Sequence, residues 1–209
     1  MAGSYTWDLT ARRYRDPRGR FIPTGQALRA LERDLAGLTA ETDRLAGDLR
    51  SGRLSLEAWR MEMMAVIKHV QMGSATLAKG GRAQMQPADH GRVGQLVREQ
   101  YGFLEAWVAD IASGKAPLDG RLDSRARLYV AAGRPTYVTV RFADVTDAGF
   151  DEARSILGHA EHCGPCVAQD AIGWQPITEM LPIGDRDCGN NDRCRVEIRN
   201  SRTGETQAA

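Results

Sequence analysis

Cysteine is scarce in this chain: its 209 residues contain four, and none comes before Cys163. That excludes a scaffold stapled along its length by disulfides. Lysine is scarcer still, with only Lys68, Lys79 and Lys115, so the positive charge is almost all arginine. Acidic residues offset it to a net charge of +1, which leaves no global field to steer the chain toward nucleic acid or a membrane surface. Long apolar runs are missing, and no stretch reaches the ~18 consecutive apolar residues of a membrane-spanning helix. The N-terminal stretch through Arg15 has no apolar core of the secretory type, from which a cytosolic setting is expected. In that setting thiols stay reduced and bind metal more readily than they pair. No internal repeat or low-complexity segment stands out. The length suits one ordinary domain plus a small one.

The four cysteines are Cys163, Cys166, Cys188 and Cys194, a C-x-x-C pair and a C-x5-C pair. A C-x-x-C turn lets two thiolates approach one ion, and a second pair from a distant segment closes a tetrahedron. Gly164 and Pro165 suit the tight turn. The intervening segment holds few apolar side chains, so a bound metal would supply part of its folding energy. We therefore expect a structural zinc site formed by Cys163, Cys166, Cys188 and Cys194. Four reduced or disulfide-paired cysteines without metal are the plainer alternative. Cys163-Gly164-Pro165-Cys166 also matches the thioredoxin redox motif, yet the polar segment after it lacks the strands and closing helix of that fold. His159-Ala160-Glu161 imitates the H-x-E of zinc deaminases, but Cys163 follows it at once. Four thiolates leave no open position for water, and no H-E-x-x-H occurs, so hydrolysis is not expected either.

Along the chain, residues 1–24 read as a basic, aromatic arm: Arg12, Arg13, Arg15, Arg18 and Arg20 alternate with Tyr5, Trp7, Tyr14 and Phe21. Such an arm can pack on a partner or on its own domain, and arginines among aromatics can also contact phosphate or bases. Thr24 can cap a helix whose stripe is Leu28, Leu31, Leu35, Leu38, Leu45 and Leu49. Any uncovered part of that stripe would mark an interface. Ser55 can cap a second helix with Leu56, Trp59, Met63, Ile67 and Val70 on one face, ending near Gly80-Gly81. Pro87 opens a third, with Val93, Leu96, Val97, Tyr101, Leu104, Trp107, Val108 and Ile111 on its apolar face, and a fourth spans about 123–132. Gly133-Arg134-Pro135 reads as a break. Residues 137–142 alternate and are β-branched, a strand pattern, although a buried helical turn has the same letters. Thr146 or Asp147 can cap a helix running to about Leu157. The last residues form a polar tail with nothing to bury.

Three stretches together resemble the phage minor head proteins of the Mu F-like, head-morphogenesis type. They are Arg13–Asp16 with Gly19–Ile22; Ser55–Trp59 through Gly80-Gly81 to Gln100–Leu104; and Ser155–Gly158, His162-Cys163, Cys166, Gly173-Trp174 and Cys194–Glu197. The resemblance implies a virion or prohead component inside the shell near the portal, in few copies. Where relatives end in Asn-Cys-Arg-Cys, this chain has Asn191-Asp192-Arg193-Cys194. The fourth ligand is then Cys188, because thiolate outcompetes a lone carboxylate for zinc, with His162 in reserve.

The expectation is a mainly α chain: a basic arm (1–24), a body of four to five helices (25–154), a zinc-knuckle module with short strands (155–200) and a flexible tail (201–209). The module should melt separately when the metal is chelated. The function expected is structural and not enzymatic: procapsid assembly or DNA packaging, with portal or major capsid protein as partner, DNA contact secondary and no membrane. The other classes are a thiol-disulfide oxidoreductase and a zinc-dependent nucleic-acid-binding protein.

Overall fold

The structure, a computed structural model, describes residues 4–208 apart from Leu9, Arg12, Ala160, Asn190 and Asn191. Arg12 of the expected arm and Asn191 of the C-terminal motif thus lie outside the described residues. The chain is mainly α-helical with two small antiparallel sheets. The helices are α1 (Thr24–Arg50), α2 (Leu56–Ala78), α3 (Pro87–Ala112), α4 (Gly120–Ala131), α5 (Gly133–Asp147) and α6 (Gly164–Ile172). One sheet is β1 (Thr6–Asp8), β2 (Arg13–Arg15) and β3 (Phe21–Ile22), in that order. The other joins β4 (Glu152–Ile156), β5 (Gln175–Pro176), β6 (Arg195–Arg199) and β7 (Thr206–Ala208) in the order β5-β4-β6-β7.

Helix α2 is the hub, packed on α1, α3 and α5, while α4 lies on α1. Its apolar side chains Trp59, Met63, Ile67, Val70 and Leu77 are fully buried. Trp59 meets Trp107 of α3 edge-on at 5.1 Å, and Trp107 stacks on Tyr129 of α4 at 6.1 Å. Ser55 caps α2 as its sequence position predicts, accepting the Ala58 amide at 3.2 Å. Helix α1 begins at Thr24 itself, with Pro23 before it and no side-chain cap. Its stripe is covered: Leu31, Leu35, Leu38, Leu45 and Leu49 are buried and Leu28 is half-buried, so little of it is left uncovered to form an interface.

Residues 137–142 are helix, not strand. Thr136, Tyr137, Val140 and Arg141 are buried at helical spacing, and the mass of α2 beside them overrides the β-branched preference. The break expected at Gly133-Arg134-Pro135 falls at Ala132, between α4 and α5, and Gly133 itself opens α5. A Cβ there would lie 2.7 Å from Leu35 Cδ2 and 2.8 Å from Ser74 Oγ, so its bareness lets α5 close on α1 and α2. Pro135 sits in the first turn of α5, where a missing N–H costs nothing. Gly133→Ala should therefore destabilise by about 1–3 kcal/mol through overpacking; chemical denaturation showing no loss would refute that close approach.

The segment expected to be helical up to Leu157 is β4, with only Ala153 and Ser155 of Glu152–Ile156 turned inward. Small inward residues give no apolar alternation, which hides the strand. The body–module boundary expected at 154/155 thus falls inside β4. One continuous apolar core runs from Trp59 and Leu45 to Ile177, Ile183, Val196 and Ile198. The tail pairs as β7 with β6, and Gln207 accepts from Arg141 at 2.7 Å. The described part of the arm is ordered on its own body. Tyr14 is fully buried and donates to the Leu77 carbonyl at 3.0 Å, while the Trp7 amide reaches the Gly80 carbonyl at 2.7 Å. Gly80, at φ 82°, lets β1 pass, since a Cβ there would lie 2.1 Å from that of Trp7.

Candidate metal centre

The C-x-x-C pair straddles the start of α6. Cys163 is its N-cap and Cys166 falls in the first turn, with the Val167 amide bonded to the Cys163 carbonyl at 3.2 Å. The helical turn brings the two sulfurs to 3.3 Å. Cys188 comes from the loop after Ile183, and its sulfur lies 3.7 Å from Cys163 and 3.5 Å from Cys166. Cys194 arrives just before β6. It is placed by a tight crossing at Gly158, where a Cβ would lie 2.3 Å from the Arg193 carbonyl oxygen. Cys166, Asp192 and Cys194 form a second group of donor atoms within 4.8 Å of one another. Cys166 belongs to both groups, so the four predicted cysteines are drawn together through it. His162, half-buried, is in neither group.

All four thiols are free, and their separations are far above the ~2.05 Å of a disulfide. Around an ion with metal–sulfur bonds of ~2.3 Å, tetrahedral geometry puts neighbouring sulfurs ~3.8 Å apart. The three measured spacings, 3.3–3.7 Å, are already close to that triangle. The donor set is therefore compatible with a metal ion, with Cys163, Cys166 and Cys188 as one face; Cys194 and Asp192 lie within 4.8 Å of Cys166 but neither lies that close to all three sulfurs.

Beside the sulfurs sits a feature with no sequence signature, a fully buried guanidinium. Arg186 is 3.3 Å from the Asp192 carboxylate, and both side chains are completely enclosed. Arg186 also donates to Ser155 Oγ at 3.0 Å and twice to the Leu181 carbonyl at 3.2 Å, and its Nη1 comes within 3.9 Å of Cys166 Sγ. Asp192 Oδ1 accepts the Cys194 amide at 2.9 Å. Asp192 thus fixes the backbone of one candidate ligand, while Arg186 offsets its charge. Nothing in the spacing of Arg186 or Ser155 marks either for this role.

The thiols differ in acidity. The Cys166 amide beside the Cys163 sulfur lowers the pKa of that thiol. Burial raises that of Cys188, reinforced by the neighbouring sulfurs, and pushes Cys194 up to about 12. Without metal, Cys188 and Cys194 hold their protons at neutral pH. Loading must expel both, so about two or more protons should leave per ion bound, and apparent affinity should fall as pH drops. Calorimetry in buffers of different ionisation enthalpy measures this; proton-neutral binding at pH 7 would exclude ligation by Cys188 and Cys194.

No protein-family model, curated protein or solved structure matches the chain. Among the described residues, no helix is long and apolar enough to cross a membrane.

Proposed function

We propose that this chain is a non-enzymatic structural protein of a phage head, a minor head protein of the Mu F-like type. In this reading it acts in procapsid assembly or DNA packaging near the portal, with one structural zinc. The observation that carries the metal part is the convergence of Cys163, Cys166 and Cys188 at 3.3–3.7 Å, with Cys194 joined through Cys166. Soft thiolates in a tetrahedral set favour zinc over harder ions, and four of them leave no site for an activated water. The head-protein part rests on the resemblance in the N-terminal, central and cysteine-containing stretches. The partner is then portal or major capsid protein inside the virion or in the host cytoplasm during assembly.

The oxidoreductase reading draws on one observation, the lowered pKa of the Cys163 thiol at the start of α6. Against it stands Cys188, whose sulfur is within 3.7 Å of both members of the pair. Protein purified without chelators should contain close to one zinc per chain and co-purify with portal or shell protein. It should also fail to reduce insulin disulfides. Metal-free protein with turnover that survives loss of Cys188 and Cys194 would replace this reading with the redox one.

A further inference from the structure

Where the helical body meets the cysteine-bearing sheet there is a cleft of about 410 Å³. Its charged lining comes from three elements: Arg29 and Glu32 of α1, Arg134 of α5, and Arg193, Arg195 and Glu197 at the start of β6. Both acids are already engaged. Glu32 accepts from Arg134, and Glu197 accepts from Arg154 at 2.7 Å. Arg29, Arg193 and Arg195 are exposed, and none has an ion-pair partner among the described residues. Three arginines with no ion-pair partner among the described residues therefore line one cleft in a chain whose net charge is only +1. Many other surface arginines, such as Arg44, Arg53, Arg121 and Arg127, are paired with aspartate.

We propose that this cleft is a phosphate-binding site, taking the phosphodiesters of a polynucleotide backbone or the phosphate of a free nucleotide. A guanidinium presents a planar fork that matches phosphate oxygens bidentately, and three from two segments, α1 and the start of β6, can flank one anionic group. The amide end of α1 opens on the same space at Gly25, with no acidic residue in its first turn to oppose an anion. Arg193 and Arg195 flank Cys194, which also lines the cleft, so the donors that place the metal also place two of the three arginines. Metal and phosphate binding are therefore coupled, and by linkage each strengthens the other. The site does not depend on which metal is held.

The test uses the full, metal-loaded chain and short labelled single-stranded and duplex DNA, read by fluorescence anisotropy across a salt series. Three phosphate contacts give a slope of log affinity against log salt of about −2 for single strands and about −3 for duplex. Arg29→Ala, Arg193→Ala and Arg195→Ala should each flatten the slope by about 0.7–0.9, and the triple variant should abolish binding. Arg98→Ala, on α3 and away from the cleft, should change neither. Full displacement of DNA by millimolar nucleotide or inorganic phosphate assigns the site to isolated phosphates; partial displacement assigns it to the polymer. Chelation should weaken binding about fivefold or more. No binding of any phosphate probe at low salt, an unchanged slope in the triple variant, or equal competition by polyglutamate would overturn the proposal. Protein purified without chelators that holds no metal yet binds through the three arginines would sink the zinc centre and leave the cleft standing. Metal-loaded protein that binds no phosphate would do the reverse.

Discussion

Arg186→Met is expected to destabilise the chain by about 3–5 kcal/mol, because it strands the Asp192 carboxylate in a fully enclosed site. The Leu181 carbonyl and the Ser155 hydroxyl lose donors in the same step. For a chain of this size the melting temperature should fall by roughly 10 °C or more. Pairing it with Asp192→Asn removes the uncompensated charge and keeps an oxygen for the Cys194 amide, so the double variant should be more stable than Arg186→Met alone. The coupling between the two sites should be on the order of 1–3 kcal/mol. Denaturant titrations of the four proteins give it directly. A loss below about 1 kcal/mol for Arg186→Met would mean that water reaches the pair.

In the proposed zinc-bound state, removing the metal should have the largest effect of all. Cys166 is the member shared by both donor groups, so Cys166→Ser cuts the centre at its middle. Metal-ligand energy in small modules is folding energy, and a loss exceeding about 5 kcal/mol is expected on chelation or in this variant. How the loss is distributed follows from the core. Ile177, Ile183, Val196 and Ile198 belong to the same apolar cluster as Leu45, Trp59 and Tyr137. Chelation should therefore shift one cooperative transition, seen alike in the helical circular dichroism and in near-ultraviolet signals, in place of the separate melting expected from the sequence. Helical signal that stays intact while only the near-ultraviolet signal of Trp174 is lost would show that the shared core does not couple the two parts.

What could be read from the sequence was local. The spacing of leucines in α1 and of Trp59, Met63 and Ile67 in α2 repeats at the helical period, and Ser55 and Pro87 sit where helices start. The four cysteines declared a thiol cluster because metal ligation demands particular atoms, whatever the fold around them. The sequence by itself thus determined a mainly helical chain and the residues that gather at its C-terminal centre. Tertiary structure alone decided the remainder. Tyr137–Phe142 became helix because α2 buries it, and Glu152–Ile156 became strand because β6 pairs with it. The arm and the tail were ordered by contacts with residues far along the chain, Leu77 for Tyr14 and β6 for β7. Arg186 became the internal counter-charge of the site only because the loop folds it against Asp192 and Ser155. Strand pairing and charge burial are properties of two distant segments at once, and no local pattern in either segment encodes them.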